Sequence, residues 1–253
     1  MYQRTVIVTG ASRGIGRAIA LQVAQMGHDL LLVSRDGSSL EKVAGECAQI
    51  GVSAQSISVD LTQPESGSLV AKVAGSMKKP LWALVNNAGM AQSATLEKTG
   101  DELLKAHMEL NFYAPMRLMR ACVPLLREGR IINICSTAAL TGYPYVSAYA
   151  ASKHALLGAT RSLAREFAAK DLTFNAICPG YVRTEMFEQT LANIGSKTGL
   201  DKTAAEQKLA KLSPQGRVFE PAEVANVVRF LLGDEARGIT GQALSIDGGE
   251  VQH

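Results

Sequence analysis

Short apolar runs alternate with longer amphipathic stretches along most of the chain. The runs are TVIVT (Thr5–Thr9), DLLLV (Asp29–Val33), SAQSISV (Ser53–Val59), WALVN (Trp82–Asn86), RIINIC (Arg130–Cys135), TFNAIC (Thr173–Cys178) and ALSI (Ala243–Ile246). Most of these carry few polar residues, the pattern of strands buried on both faces. Between them lie stretches of helical period such as GRAIALQVAQMG, LEKVAGECAQIG and YAASKHALLGATRSLAREFAAK. Strand and helix in alternation predict an α/β protein with a doubly wound parallel sheet of about seven strands, covered by helices on both faces. No Pro/Ser-rich linker or repeat divides the sequence, so 1–253 is read as a single domain.

One segment breaks the alternation. After Pro179–Gly180 about 35 residues pass before the helix opening near Pro221, with helical stretches but no strand. An excursion of this kind predicts a substrate lid over about 183–216.

Composition narrows the class without naming a function. Hydrophobic residues make up 47% and charged residues 19% of the 253 positions, enough for a sizeable core and too apolar for disorder. No apolar run is long enough to cross a membrane. The net charge of +3 is spread along the chain, which suits small anionic ligands and does not indicate nucleic-acid binding. Cys47, Cys122, Cys135 and Cys178 stand apart in apolar surroundings, and the first strand begins almost at once, without room for a signal peptide. Together these predict reduced thiols and a cytoplasmic protein. The four histidines lack any ligand spacing, so no metal site is expected.

The chemistry concentrates at strand ends. VTGASRGIGRAIA follows the first strand and places Gly10, Gly14 and Gly16 in a G-x-x-x-G-x-G loop opening a helix. Such a loop lets backbone approach a pyrophosphate at the positive helix N-terminus. At the end of the second strand, Ser34 and Arg35 occupy the position that reads the adenosine ribose, with Arg13 in the glycine loop. Arginines there accommodate a 2′-phosphate and favour NADP; Asp36 keeps open an NAD reading, as ribose acid, or a plain role as a helix cap. Further along, Tyr149 and Lys153 lie four apart, one turn above each other on a helix face. A phenol of ordinary pKa about 10 exchanges protons poorly at neutral pH, and a nearby cation favours its phenolate. The pair therefore reads as a tuned general acid–base. Ser136 ends a strand where α/β sheets bind ligands and can hydrogen-bond a carbonyl oxygen. Asn111 precedes Pro115 by four residues, so its carbonyl loses a helical donor and is free within a kinked helix to hold a water.

TGASRGIG, NNAG (Asn86–Gly89), Asn111, Ser136 and YAASK stand in the order and spacing of the short-chain dehydrogenase/reductase family, and CPGYVRT and SIDGG extend the resemblance over nearly the whole chain. Within that family the sequence is most similar to 3-oxoacyl-(acyl carrier protein) reductases, polyketide ketoreductases and 3-hydroxyacyl dehydrogenases. The resemblance implies a Rossmann-type fold and an NADPH-dependent reductase of a ketone, with a 3-oxoacyl thioester as the expected substrate. It implies Asn111, Ser136, Tyr149 and Lys153 as the catalytic residues. For the cofactor it implies Gly10, Ser12, Arg13, Gly14, Ile15, Gly16, Ser34, Arg35, Asp60, Leu61, Asn87, Ala88, Gly89, Tyr149, Lys153, Pro179, Gly180, Val182 and Thr184. Asn86 is read as a brace between strands, and His154 as packing. Relatives are mostly tetramers, and some act on an acyl carrier protein, so a homotetramer and such a partner are expected. Arg127 and Lys170, ending two helices, are read as a basic rim for that acidic carrier. Trp82 departs from the family, which often has an acidic residue there. An NAD-linked alcohol or sugar dehydrogenase and a non-catalytic nucleotide-binding regulator remain the alternatives.

Overall fold

The computed structural model describes residues 3–252. Its strands are β1 (Thr5–Thr9), β2 (Asp29–Ser34), β3 (Ala54–Ser58), β4 (Leu81–Asn86), β5 (Gly129–Ile134), β6 (Leu172–Pro179) and β7 (Ala243–Ile246). The principal helices are α1 (Gly14–Gln25), α2 (Gly37–Ile50), α3 (Ser66–Ser76), α4 (Asp101–Met108), α5 (Ala114–Cys122), α6 (Ser147–Glu166), α7 (Glu185–Thr198), α8 (Lys202–Ala210) and α9 (Pro221–Leu232). Among the described residues all seven strands are parallel, in the order β3-β2-β1-β4-β5-β6-β7. The sheet is the doubly wound one that the apolar rhythm predicts. No helix among the described residues is long and apolar enough to cross a membrane.

Successive strand residues face opposite sides, which divides the core in two. Val6 and Val8 of β1 pack with Ile19 and Val23 of α1 and with Val224 and Val228 of α9. Ile7, between them, points the other way, toward Val70 of α3, Leu118 of α5 and Leu156 of α6. The direction in which successive strands are added reverses between β1 and β4, and the glycine loop and the NNAG segment leave the sheet at that switch point, where such sheets bind ligands.

The segment expected to form a lid is a helical pair with its own small core. Phe187 and Leu191 of α7 pack against Ala205 and Leu209 of α8 and against Val218. At its base Arg183 N–H donates to the Phe219 carbonyl at 2.8 Å and Phe219 N–H to the Tyr181 carbonyl at 2.9 Å, so both ends of the excursion are tied together. Cys47, Cys122, Cys135 and Cys178 are all buried free thiols, as their apolar surroundings predict.

Candidate active site

The glycine loop is held from below by the NNAG segment. Thr9 Oγ1 accepts hydrogen bonds from the N–H groups of Asn87 and Ala88, both at 3.0 Å. Asn87 Nδ2 in turn donates to the carbonyls of Thr9 and Gly10 at 2.9 and 3.2 Å. This packing leaves no room for a side chain at Gly10 or Gly16. A Cβ on Gly16 would lie 2.1 Å from the Gly10 carbonyl oxygen, and Gly10 itself has φ +62°, a conformation that glycine adopts at little cost. Arg13 precedes α1 without any side-chain cap, so the first N–H groups of that helix have no side-chain acceptor. Bare helix N–H groups above a cradle that a Cβ would fill match a dinucleotide pyrophosphate.

At the adenosine corner the ambiguity about Asp36 resolves. Its carboxylate caps α2, accepting from the Ser39 hydroxyl and backbone N–H at 2.7 and 3.1 Å and from the Ser38 hydroxyl at 3.0 Å. The Ser39 hydroxyl and N–H, with that of Ser38, hold its pKa down at about 2. The carboxylate serves as the cap of α2, the plain role that the sequence offered for it. Arg35 forms no ion pair within the described residues. Arg13, expected beside it, is ion-paired with Glu185 in the first turn of α7. Asp60 Oδ1 accepts from the Thr62 N–H and hydroxyl at 3.0 and 2.8 Å, and those bonds lower its pKa. Leu61 sends its side chain into the core, leaving only its backbone toward the corner.

The remaining residues meet where β4, β5 and β6 end. Asn86 does brace the sheet: its Nδ2 donates to Asn133 Oδ1 at 2.8 Å, and Asn133 Nδ2 donates to the Thr160 hydroxyl at 2.9 Å, linking β4, β5 and α6. Ser136 follows β5, where its Oγ accepts the Ala138 N–H at 3.1 Å. Its hydroxyl also acts on the Tyr149 phenol, lowering that group's pKa. Lys153 is buried, and its Nζ donates to the Ile134 carbonyl at 2.8 Å and lies 5.8 Å from the Tyr149 ring centre. A Cβ on Gly89 would stand 3.5 Å from that Nζ and 3.1 Å from Asn111 Oδ1, so NNAG, Asn111 and Lys153 close on one another.

Two expectations change here, one electrostatic and one of helix geometry. Burial raises the Tyr149 phenol to about 12, and the Ser136 hydrogen bond offsets only part of that rise. Lys153 is not among the groups that shift the phenol; its ammonium donates to a strand carbonyl, and burial lowers its own pKa. Tyr149 is therefore a protonated phenol at neutral pH. Asn111 is the second change. The helix widens there into a π turn over Glu109–Tyr113, with the Ala114 N–H bonded to the Glu109 carbonyl. Pro115, lacking an N–H, makes the ordinary ladder impossible there. The Asn111 side chain is used entirely by the protein. It accepts from Met90 N–H at 2.9 Å and donates to the Met90 carbonyl and Ser152 Oγ, both at 3.0 Å.

Ser152 and His107 escaped the sequence reading. Ser152 links Asn111 to the Tyr149 carbonyl through its own 2.7 Å bond. His107, buried, holds the loop after NNAG by accepting the Gln92 N–H at 3.1 Å and sets its ring edge toward Tyr149 at 6.2 Å. A hydroxyl amid the small residues of YAASK was the one available signal for Ser152; nothing local marks His107. His154 is exposed and bonds its own helix at Ala150. On the far side of the glycine loop, Thr184 caps α7 through the Phe187 N–H at 3.3 Å, and its methyl would lie 3.2 Å from a Cβ on Gly14. Val182 is buried beside it, and Pro179 closes β6.

Arg127 and Lys170 do not rim this site. They precede Gly129 and Leu172, the first residues of β5 and β6, whereas Ser136 and Gly180 follow the last. With the strands parallel, the two cations lie at the amino edge of the sheet, and Lys170 sits over the Phe167 ring at 5.2 Å. Trp82 is at that edge as well, beneath the guanidinium of Arg4 at 3.7 Å and that of Arg130 at 4.7 Å, away from the chemistry.

A family model described as enoyl-(acyl carrier protein) reductase matches residues 10–250. The chain belongs to the short-chain dehydrogenase/reductase family. It is an oxidoreductase by that membership. It is 33% identical over 253 residues to the uncharacterized oxidoreductase YxjF of Bacillus subtilis, covering 98% of each chain. To the 3-oxoacyl-(acyl carrier protein) reductase FabG of Aquifex aeolicus it is 33% identical over 248 residues, covering 96% of this chain and 95% of the other. Among solved structures, a tryptophan variant of actinorhodin polyketide ketoreductase with NADPH superposes with a TM-score of 0.95 at 29% identity, over 99% of this chain and 98% of that one. L-Sorbose reductase from Gluconobacter frateurii, complexed with NADPH and L-sorbose, superposes at 0.94 and 31% identity, over 100% of this chain and 98% of that one.

Proposed function

We propose that this member of the family is an NADPH-dependent carbonyl reductase, converting a ketone to a secondary alcohol with Tyr149 as general acid. The observation that carries the reading is the meeting of Ser136 and Tyr149 at the carboxyl edge, where Ser136 lowers the phenol's pKa, beside a buried Lys153 and a glycine cradle. The described residues fit the dinucleotide. Gly10, Ser12, Arg13, Gly14, Ile15 and Gly16 would hold the pyrophosphate, and Ser34 and Arg35, with Arg13 once released from Glu185, the 2′-phosphate. Asp60 and the Leu61 backbone would meet the adenine, and Asn87, Ala88 and Gly89 the adjoining ribose. Lys153 and Tyr149 would hold the nicotinamide ribose, and Pro179, Gly180, Val182 and Thr184 the carboxamide end. When bound, the reduced nicotinamide supplies the hydride that the carbonyl carbon accepts.

The rest is done by this chain. The Ser136 hydroxyl donates to the carbonyl oxygen and steadies the negative charge that grows on it. The Tyr149 phenol delivers its proton to that oxygen, so one hydride and one proton complete the alcohol. Asn111 keeps the NNAG loop fixed against Lys153. Residues 183–216 serve as the lid over the substrate.

Support for NADP over NAD comes from Asp36, which is committed to α2, and from the NADPH in both structural relatives named above. The 3-oxoacyl thioester is the substrate that the relatives' names suggest, with an acyl carrier protein as partner and a homotetramer as the assembly. The test is a spectrophotometric screen of ketones and 3-oxoacyl thioesters with NADPH and NADH. Turnover with NADPH preferred is expected; no ketone turnover, or a preference for NADH, overturns the assignment. Light scattering on the purified protein tests the tetramer.

A further inference from the structure

A cavity lies at the amino edge of the sheet, the opposite edge from the glycine cradle. Its volume is about 350 Å³, and Trp82, Glu128, Arg130, Asp171, Asp234 and Arg237 line it. These come from the amino ends of β4, β5 and β6 and from the turn after α9. The floor is buried: Arg130 is 3% and Trp82 4% exposed, with the guanidinium 4.7 Å from the centre of the indole ring. The other four residues are exposed and form the rim.

The cation on the floor has no counter-ion. Arg130 Nη1 donates to the Gly129 carbonyl at 3.1 Å, Nε is buried without an acceptor, and Nη2 finds none among the described residues. No carboxylate of those residues lies within ion-pair distance of the guanidinium. Two of the three rim acids are already taken, Glu128 by Arg4 at 2.9 Å and Asp171 by Arg237 at 2.8 Å. Asp234 has neither an ion pair nor a side-chain hydrogen bond among the described residues. A buried charge left unpaired is costly, and burial accordingly lowers the Arg130 pKa. A carboxylate on the floor would remove that cost, since the guanidinium fork matches it.

Unpaired charge is thus sorted by depth, a cation below and an acid above. We propose that this cavity binds a small amino acid, its carboxylate on Arg130 and its ammonium toward Asp234. A plain anion must pass the unpaired Asp234, and a plain cation leaves Arg130 as it was. The volume is in the range of small-molecule sites. Binding here does not depend on what the carboxyl edge reduces.

The test is a calorimetric titration of the full chain with glycine and 4-aminobutyrate, set against acetate, butyrate and butylamine. At least one of the two amino acids should bind with a Kd of about 1 mM or below, and about tenfold tighter than the carboxylate of the same carbon number. At about 10 mM it should raise Tm by about 3–6 °C. Arg130→Met, which replaces the unpaired cation by an apolar side chain, should abolish the binding. Asp234→Asn, on the exposed rim, should bring the amino acid and its matched carboxylate to within about twofold of each other, and it keeps the test open should Arg130→Met fail to fold. Binding of neither amino acid, equal binding of amino acid and carboxylate by the wild type, or a Kd unmoved by Arg130→Met overturns the proposal. A preference that survives Asp234→Asn does so as well.

Discussion

Replacing Asn111 with alanine distinguishes a clamp from a water-linked proton relay. The substitution removes three hydrogen bonds at once, two with the Met90 backbone and one with Ser152 Oγ. Asn111 is fully buried, and each buried polar group stranded by a lost partner costs about 1–3 kcal/mol. Met90 is only partly buried, so water recovers some of its backbone, and Ser152 keeps its bond to the Tyr149 carbonyl. The net cost is then about 2–4 kcal/mol. For a chain of this size about 1 kcal/mol moves Tm by roughly 2–4 °C, so the drop should be about 4–16 °C. Ser152→Ala, which removes one of the three bonds, should cost about 1 kcal/mol. Calorimetry on the wild type and both variants reads the stability, and a titration of NADPH fluorescence reads the cofactor site. As a clamp, Asn111 fixes the loop carrying Asn87–Gly89, so NADPH binding should weaken together with Tm. A Tm within about 2 °C of wild type would refute the energetic argument. Intact NADPH affinity with lost turnover would show that the residue acts on the proton path instead.

Tyr149→Phe should lower turnover by about 10²–10⁴ with little change in Tm, since it removes the proton donor and keeps the ring; near-normal rates would sink the mechanism. Gly16→Ala should raise the apparent Kd for NADPH by at least about tenfold, because its Cβ would lie 2.1 Å from the Gly10 carbonyl oxygen. Arg35→Ala should weaken NADPH binding far more than NADH binding, and equal losses would remove Arg35 from the 2′-phosphate. The Tyr149 phenol, raised from about 10 in the unfolded chain to about 12, favours folding fully below pH 10. That contribution is lost as pH climbs from about 10 through about 12, so urea denaturation should show a steeper alkaline loss of stability in the wild type than in Tyr149→Phe.

The sheet was legible in the sequence because burial on both faces writes itself into uninterrupted apolar runs. All seven runs became strands, their ends shifted by a residue or so. The glycine loop was legible for a related reason: a backbone that must approach a pyrophosphate tolerates no Cβ, and glycine at fixed spacing is the only answer the alphabet allows. Tyr149 and Lys153 were placed together by helical period alone. What local pattern could not supply was the partner of each polar group. Asp36 could be a ribose acid or, more commonly, a cap, and only the tertiary structure shows Ser38 and Ser39 donating to it. The expected tuning of Tyr149 by Lys153 depended on where the ammonium points, and a carbonyl of β5, nineteen positions away, decided that. Arg127 and Lys170 looked like a rim because their helices also carry Asn111 and Tyr149; the parallel strand direction puts the far ends of those helices at the other edge. Glu250 meets Tyr143 across 107 positions. Spacing along a chain fixes periodicity and turn chemistry, whereas the sign and strength of an electrostatic contact depend on distance and burial, and those exist only once distant segments have packed.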